Sequence, residues 1–185
     1  MGKNSKKEIG VFMKGIIIYK TKYGTTKKYV DWLIEDTKFD SIEVDKANIN
    51  SIKEYDTIIL CGPVYASSIK GLSFIRKNYN NLKDKKLAIF GVGASPLEDA
   101  TIENLMTFSI KNDLKDIPLF YGRGAIDEDN LSFKDKMLCK LLRQALKKQD
   151  PSTYDPIMKT IMEVNGKTDW TDKKYLKPLL EYINK

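Results

Sequence analysis

The stretch Gly15-Ile16-Ile17-Ile18-Tyr19-Lys20-Thr21-Lys22-Tyr23-Gly24-Thr25-Thr26 decides how this chain folds. Its first five residues form an apolar run without alternation, and a strand apolar on both faces belongs inside a parallel sheet covered on each side. After the hydroxyl-rich loop, Tyr29, Val30, Leu33 and Ile34 recur at helical spacing. The order is therefore buried strand, loop, amphipathic helix. A helix amino end leaves backbone N–H groups unpartnered and carries partial positive charge, so residues Thr21 to Thr26 suit an anion such as a phosphate. Thr21, Thr25 and Thr26 offer hydroxyls, Lys22 and Tyr23 sit at the loop's tip, and Gly24 allows close main-chain approach. The loop contains neither Gly-Lys-Ser/Thr nor G-x-G-x-x-G, which sets aside the two commonest nucleotide loops. Taken alone, it reads equally as a hydroxyl-rich helix cap with no ligand.

The pattern continues outward. Ser41 to Asp45 alternates as a short strand, and Tyr55 to Cys61 is a second buried strand ending at Gly62-Pro63. Ile69 to Tyr79 reads as a helix, Leu87 to Val92 as a third buried strand, Ala100 to Lys111 as a helix, and Ile117 to Tyr121 as a fourth buried strand. Strand and helix alternate in steps of ~30 residues, which predicts an α/β doubly wound parallel sheet. Ligands of such sheets lie outside the carboxyl ends of the strands. Two further small-residue loops fall there: one carries Pro63, Val64, Tyr65, Ala66 and Ser67, the other Val92, Gly93 and Ala94. Three ligand-ready loops after three buried strands point to one shared site.

Composition narrows the chemistry. With 185 residues, 42% hydrophobic and 31% charged, the chain fits one domain with a real core. Histidine is absent, which removes Ser-His-Asp and Cys-His catalysis and His-ligated metal sites. Two cysteines cannot build a thiolate zinc site, and Cys61 lies in an apolar strand as core filler. Any enzymatic chemistry then falls to a bound cofactor. The formal charge of +7 suits an anionic ligand, nucleic acid or anionic lipid. No apolar run approaches the ~20 residues of a membrane span and no signal-peptide pattern opens the chain, so a cytoplasmic location is expected. Residues 1–12 are polar without periodicity and are set apart as a tail; the domain is taken as 13–185.

Beyond Gly124 the pattern turns helical. Phe133, Met137, Leu138, Leu141, Leu142, Ala145 and Leu146 mark an amphipathic helix ending near Pro151, and Asp155 to Gly166 a shorter one. Thr171 is the expected cap of the last helix, with Pro178 as a kink inside it. The segment 132–148 holds Lys134, Lys136, Lys140, Arg143, Lys147 and Lys148 against one acid, Asp135, a net +5. It has two readings. Either its apolar stripe packs on the domain, the commoner use of such helices, or it docks on an anionic membrane surface, or on a membrane-bound partner, at the inner face of the membrane.

On Tyr19 to Thr26 and on the loop Gly62-Pro63-Val64-Tyr65, the chain resembles the flavodoxins, from Met13 to about Tyr121 and again over the final helix. That resemblance implies strand order 2-1-3-4-5 with helices on both faces and a basic helical insertion before the last helix. It also implies FMN, with its phosphate on Thr21 to Thr26 and its ring between Tyr65 and Val92 to Ala94. Within the family the chain is most similar to the branch containing the menaquinone-dependent protoporphyrinogen oxidases, through Phe133 to Leu142 and Thr168-Asp169-Trp170. It departs from that branch at Tyr65-Ala66-Ser67, where an arginine-bearing segment is expected. Small one-electron flavodoxins are usually acidic and often place Gly after the loop aromatic; this chain is basic and has Ala66 there. A positive φ costs Ala roughly 1 kcal/mol more than Gly. The resemblance thus implies a two-electron oxidoreductase with a redox partner or quinone as acceptor. The alternatives are a soluble one-electron flavodoxin and, in another class, a basic ligand- or nucleic-acid-binding module; the lysines, spread along the whole chain, do not favour nucleic acid.

Overall fold

A computed structural model describes residues 14–185. The tail assigned to residues 1–12, and Met13 with it, lies outside the described residues. The elements are β1 Gly15–Tyr19, α1 Thr25–Thr37, β2 Asp40–Glu43, α2 Ile49–Ile52, β3 Thr57–Tyr65, β4 Ser68–Ile69, α3 Leu72–Leu82, β5 Lys86–Gly93, α4 Asp99–Leu105, β6 Leu119–Arg123, β7 Ala125–Asp127, α5 Phe133–Leu146, α6 Pro156–Glu163, β8 Lys167–Asp169 and α7 Lys177–Ile183. The main sheet runs β2-β1-β3-β5-β6 with every pair parallel. This is the expected 2-1-3-4-5 order, counted over parallel strands.

Alternation along the strands splits the core into two layers. Ile16, Ile18, Ile58, Leu60, Leu87 and Ile89 pack with Leu72, Ile75 and Leu82 of α3 and with Leu105 of α4. The neighbouring residues Ile17, Ile59, Cys61, Ala88 and Phe90 face the other way, against Tyr29, Val30 and Leu33 of α1 and Leu179 and Ile183 of α7. Both faces are covered, so the strands read as continuous apolar runs. Cys61 is wholly buried, and burial pushes its thiol pKa up, away from reactivity.

Several boundaries differ from the sequence expectation. The second buried strand does not stop at Gly62-Pro63. β3 continues through Pro63, which pairs with Val92, and then reverses at Ala66-Ser67 into β4, where Ile69 pairs with Val64. Ile69 is therefore strand, and α3 begins only at Leu72. Gly62 makes this packing possible: a Cβ there would lie 2.1 Å from the Lys70 carbonyl oxygen. The helix expected from Ala100 to Lys111 is α4 followed by one π turn, Met106–Ile110. Pro178 does not kink the last helix; it sits in the first turn of α7, where its missing N–H costs nothing. Thr171 caps nothing, since Asp172 instead accepts from the Lys174 N–H. The antiparallel pair β7–β8 has no clear sequence signal, because both strands are three residues long. Among the described residues no helix is long and apolar enough to cross a membrane.

Candidate cofactor site

β1 ends at Tyr19 and α1 begins at Thr25, so the five-residue connection lies at the carboxyl edge of the sheet, beside the ends of β3 and β5. Gly24 precedes the helix at φ 85, a left-handed conformation that glycine adopts without strain, and its Cβ position faces open space. No side chain caps α1 and no acid lies in its first turn. The first-turn N–H groups, which no helical carbonyl can reach, therefore face the cleft with the positive end of the helix dipole. Thr21 Oγ1 accepts from the Gly24 N–H at 3.2 Å and fixes the loop. Thr26 is 1% exposed, whereas Thr25 is only half-buried and its methyl lies 3.3 Å from where a Gly124 Cβ would stand. This donor set fits a phosphate.

Twelve of the fourteen predicted residues share one cleft of about 860 Å³: Thr21, Lys22, Tyr23, Gly24, Thr25, Thr26, Pro63, Val64, Tyr65, Val92, Gly93 and Ala94 all line it. Ala66 and Ser67 do not. They form the two-residue turn between the paired Tyr65 and Ser68, with φ of 49 and 56, and two successive left-handed residues in a hairpin make a type I′ turn. Gly93 sits so close beneath Tyr121 and Val64 that a Cβ there would lie 2.7 Å from the Tyr121 hydroxyl. Gly93 thus presents main chain, not a side chain, to the cleft.

The structure adds a wall that the sequence did not assign to the site. Residues 124–127, Asn130, Leu131 and Ser132, then Lys134, Asp135, Leu138 and Cys139 of α5, close one side of the cleft. Asp135 is the centre of that wall. Its Oδ2 accepts from Lys22 Nζ at 2.6 Å and from the Tyr23 hydroxyl, and its Oδ1 accepts from the Tyr65 hydroxyl at 3.0 Å. The Ser132 N–H donates in turn to Tyr23 Oη at 3.1 Å. Burial alone would raise the Asp135 carboxyl pKa, but the hydrogen bonds from Lys22, Tyr23 and Tyr65 outweigh it and hold the group below its ordinary value. The same bond to Asp135 raises the pKa values of Lys22 and Tyr65. Two sequence signals pointed here. Asp135 is the lone acid in a strongly basic segment, and Ser132 precedes it by three residues, the spacing of a helix cap; Ser132 Oγ does accept from the Asp135 N–H.

Six lysines and three aspartates line the cleft. Lys20 pairs with Asp45 at 2.9 Å and Lys28 with Asp169 at 3.0 Å, so these cations flank the phosphate loop while tethered to fixed acids. Lys22 and Lys70 lie 5.0 and 5.3 Å from the centre of the Tyr65 ring. Val64, Val92, Ile126, Leu131 and Leu138 add an apolar part to the lining, beside the Tyr65 ring, Asn130 and Ser132. The cleft is thus polar at the amino end of α1 and greasy beyond it, a shape suited to a phosphorylated planar aromatic ligand.

The model of the flavodoxin domain family matches residues 16–153 of the chain. Among solved structures, a variant flavodoxin from Fusobacterium nucleatum bound to flavin mononucleotide is 18% identical, over 95% of this chain and 96% of that chain, with a TM-score of 0.42. The two-electron reduced flavodoxin of Megasphaera elsdenii is 16% identical, over 58% and 84% of the respective chains, at 0.41. An azoreductase from Bacillus anthracis is 12% identical, over 82% and 100%, at 0.44. No curated protein matches the chain.

Proposed function

The chain belongs to the flavodoxin domain family, and from that premise we propose that it is an FMN-dependent redox protein working in two-electron steps with a quinone or similar acceptor. The observation that carries this reading is the joining, in one cleft, of the uncapped amino end of α1 with the Tyr65 and 92–94 loops. When bound, FMN supplies reversible uptake of electrons, and the protein supplies binding and electrostatics. The α1 first-turn N–H groups and the Thr25 hydroxyl would hold the phosphate. Lys20 and Lys28 flank that end and offset its charge. Tyr65 would offer its ring face to the flavin, with its hydroxyl held by Asp135. Leu131 and Leu138 line the cleft on the α5 side and would offer apolar surface to the ring.

Two-electron working is supported by the turn after Tyr65. Turning over its central peptide would move Ala66 to the first position of a type II′ turn, a conformation glycine favours. The nucleic-acid alternative finds little support around the cleft, where Lys20, Lys22 and Lys28 are each engaged by an aspartate. The experiment is the visible absorption spectrum of the purified protein, followed by anaerobic reductive titration. A flavin spectrum that bleaches mainly in one two-electron step is expected. A colourless protein that takes up no added flavin contradicts the cofactor, and near-quantitative one-electron reduction at midpoint contradicts the two-electron reading.

A further inference from the structure

We infer that the outward face of α5 docks on an anionic lipid bilayer. The helix is 14 residues long, yet only Asp135 and Leu146 are buried, and these two fall on one side at a separation of three turns. Phe133, Met137 and Leu141 follow one another at four-residue steps on the other side and are 78%, 42% and 55% exposed. The packing alternative raised by the sequence therefore fails for this stripe: it faces away from the domain. Ten large apolar side chains stay exposed among the described residues, and five of them lie on this single helix. Surface apolar residues scattered singly are ordinary; a contiguous patch marks an interaction site.

Charge identifies the occupant. Lys134, Lys140, Lys147 and Lys148 border the patch, all exposed and free of ion pairs and hydrogen bonds among the described residues. The sequence count of six cations needs two corrections: Lys136 Nζ donates to the Asp129 carbonyl at 2.8 Å and is not free. Arg143 turns inward, donating to Glu128 Oε1 at 2.5 Å and to the carbonyls of Ile161 and Val164, so it is structural. The one acid of the segment, Asp135, is buried on the opposite side and pairs with Lys22, which leaves the outward face cationic throughout. An apolar strip edged by free lysines fits a bilayer interface, where apolar side chains enter the acyl boundary and cations meet anionic headgroups. A second copy of this face would bring lysines against lysines. Leu138 and Lys134 of the same helix line the cleft, so the docked helix is also one wall of the cleft.

The docking face stands apart from the flavin assignment, and the test keeps the two separate. Purified protein is sedimented with vesicles of mixed phosphatidylcholine and phosphatidylglycerol, with pure phosphatidylcholine as the neutral control, while flavin content is read by absorbance. The wild type should pellet with the anionic vesicles and be released as salt rises from about 0.02 M to about 0.15 M. Each near-surface cation is worth about fivefold in binding, so the pair Lys140→Glu and Lys147→Glu should weaken it at least about 25-fold. Leu141→Gln should weaken it about tenfold. These positions face solvent, and unchanged circular dichroism and melting would show that the fold survives. No pelleting at low salt, equal pelleting with neutral vesicles, indifference to charge reversal, or a stable dimer that buries the face would each overturn the inference.

Discussion

The Tyr65 hydroxyl donates to Asp135 Oδ1 at 3.0 Å across 70 residues of sequence, and so ties the β3–β4 hairpin at the cleft to the amino end of α5. Lys22 and Tyr23 tie the phosphate loop to the same carboxylate. Asp135 is therefore a latch between the cleft's wall and both of its binding loops. Asp135→Asn keeps the shape but removes the charge that Lys22 and the two phenols share. Charge-assisted hydrogen bonds of this kind are each worth about 1.5–3 kcal/mol, and Lys22 is partly exposed, so a net loss of about 1–2 kcal/mol is expected. Thermal melting should fall by about 3–6 °C. FMN should also leave about three- to tenfold faster, read by the return of its fluorescence on dilution.

The latch has a pH window. Asp135 has its carboxyl pKa lowered in the folded chain, so its contribution is fully present above the ordinary carboxylate value of ~4 and is lost as pH falls through the lower folded value. Lys22 has its pKa raised above 10.5, so its share is present below that value and is lost as pH rises through the higher folded value. Apart from the step near pH ~6 where the FMN phosphate takes up its second proton, the release rate should be flat between these limits and climb at both ends. A release rate that changes steeply between about pH 7.5 and 9 contradicts the latch, since the phosphate is then fully ionised and the chain has no histidine.

Ala66 and Ser67 hold φ of 49 and 56 in the turn that follows Tyr65. Glycine at position 66 widens the conformations open to that turn. Ala66→Gly should therefore raise the fraction of one-electron-reduced flavin at the midpoint of an anaerobic titration, read by its long-wavelength absorbance. An unchanged fraction would mean that the turn does not govern the one-electron step.

Gly62 has the Lys70 carbonyl oxygen 2.1 Å from its Cβ position and an Ile69 methyl at 2.9 Å. Gly62→Ala should cost about 3 kcal/mol in urea unfolding, at the upper end of overpacking effects, because the obstacle is main chain and cannot rotate away. Gly24→Ala meets open space and should cost about 1 kcal/mol, from its positive φ alone.

The buried strands were legible because their apolar runs leave one option, burial on both faces; the strand–helix alternation gave the parallel sheet, and the strand order came from the resemblance to the flavodoxins. The position of the loop from Thr21 to Thr26 at the cleft was legible because its hydroxyls and Gly24 sit between such a strand and an amphipathic helix. The hairpin β3–β4 was hidden: Gly62-Pro63 reads as a stop, yet Pro63 is tolerated in the strand with its carbonyl accepting from the Lys70 N–H. The role of Asp135 was hidden for another reason. Its partners lie 112, 113 and 70 residues away, and no local pattern encodes contacts made only when α5 folds back over the cleft. The direction of the α5 stripe was also beyond periodicity, which reports that a helix has two faces but not which one meets the domain.

The central claim is that this cleft holds FMN by its phosphate, and fluorescence titration with FMN, riboflavin and FAD tests it most directly. Thr25→Glu is the companion variant, since Thr25 is half-buried at the cleft, whereas Thr26, though it also lines the cleft, is only 1% exposed and leaves less room for a longer side chain. The account expects wild-type protein to quench FMN at submicromolar concentration, riboflavin to bind at least about 100-fold more weakly for want of the phosphate, and the added carboxylate to abolish the difference. Equal affinity for FMN and riboflavin, or tight FMN binding by Thr25→Glu, would contradict it.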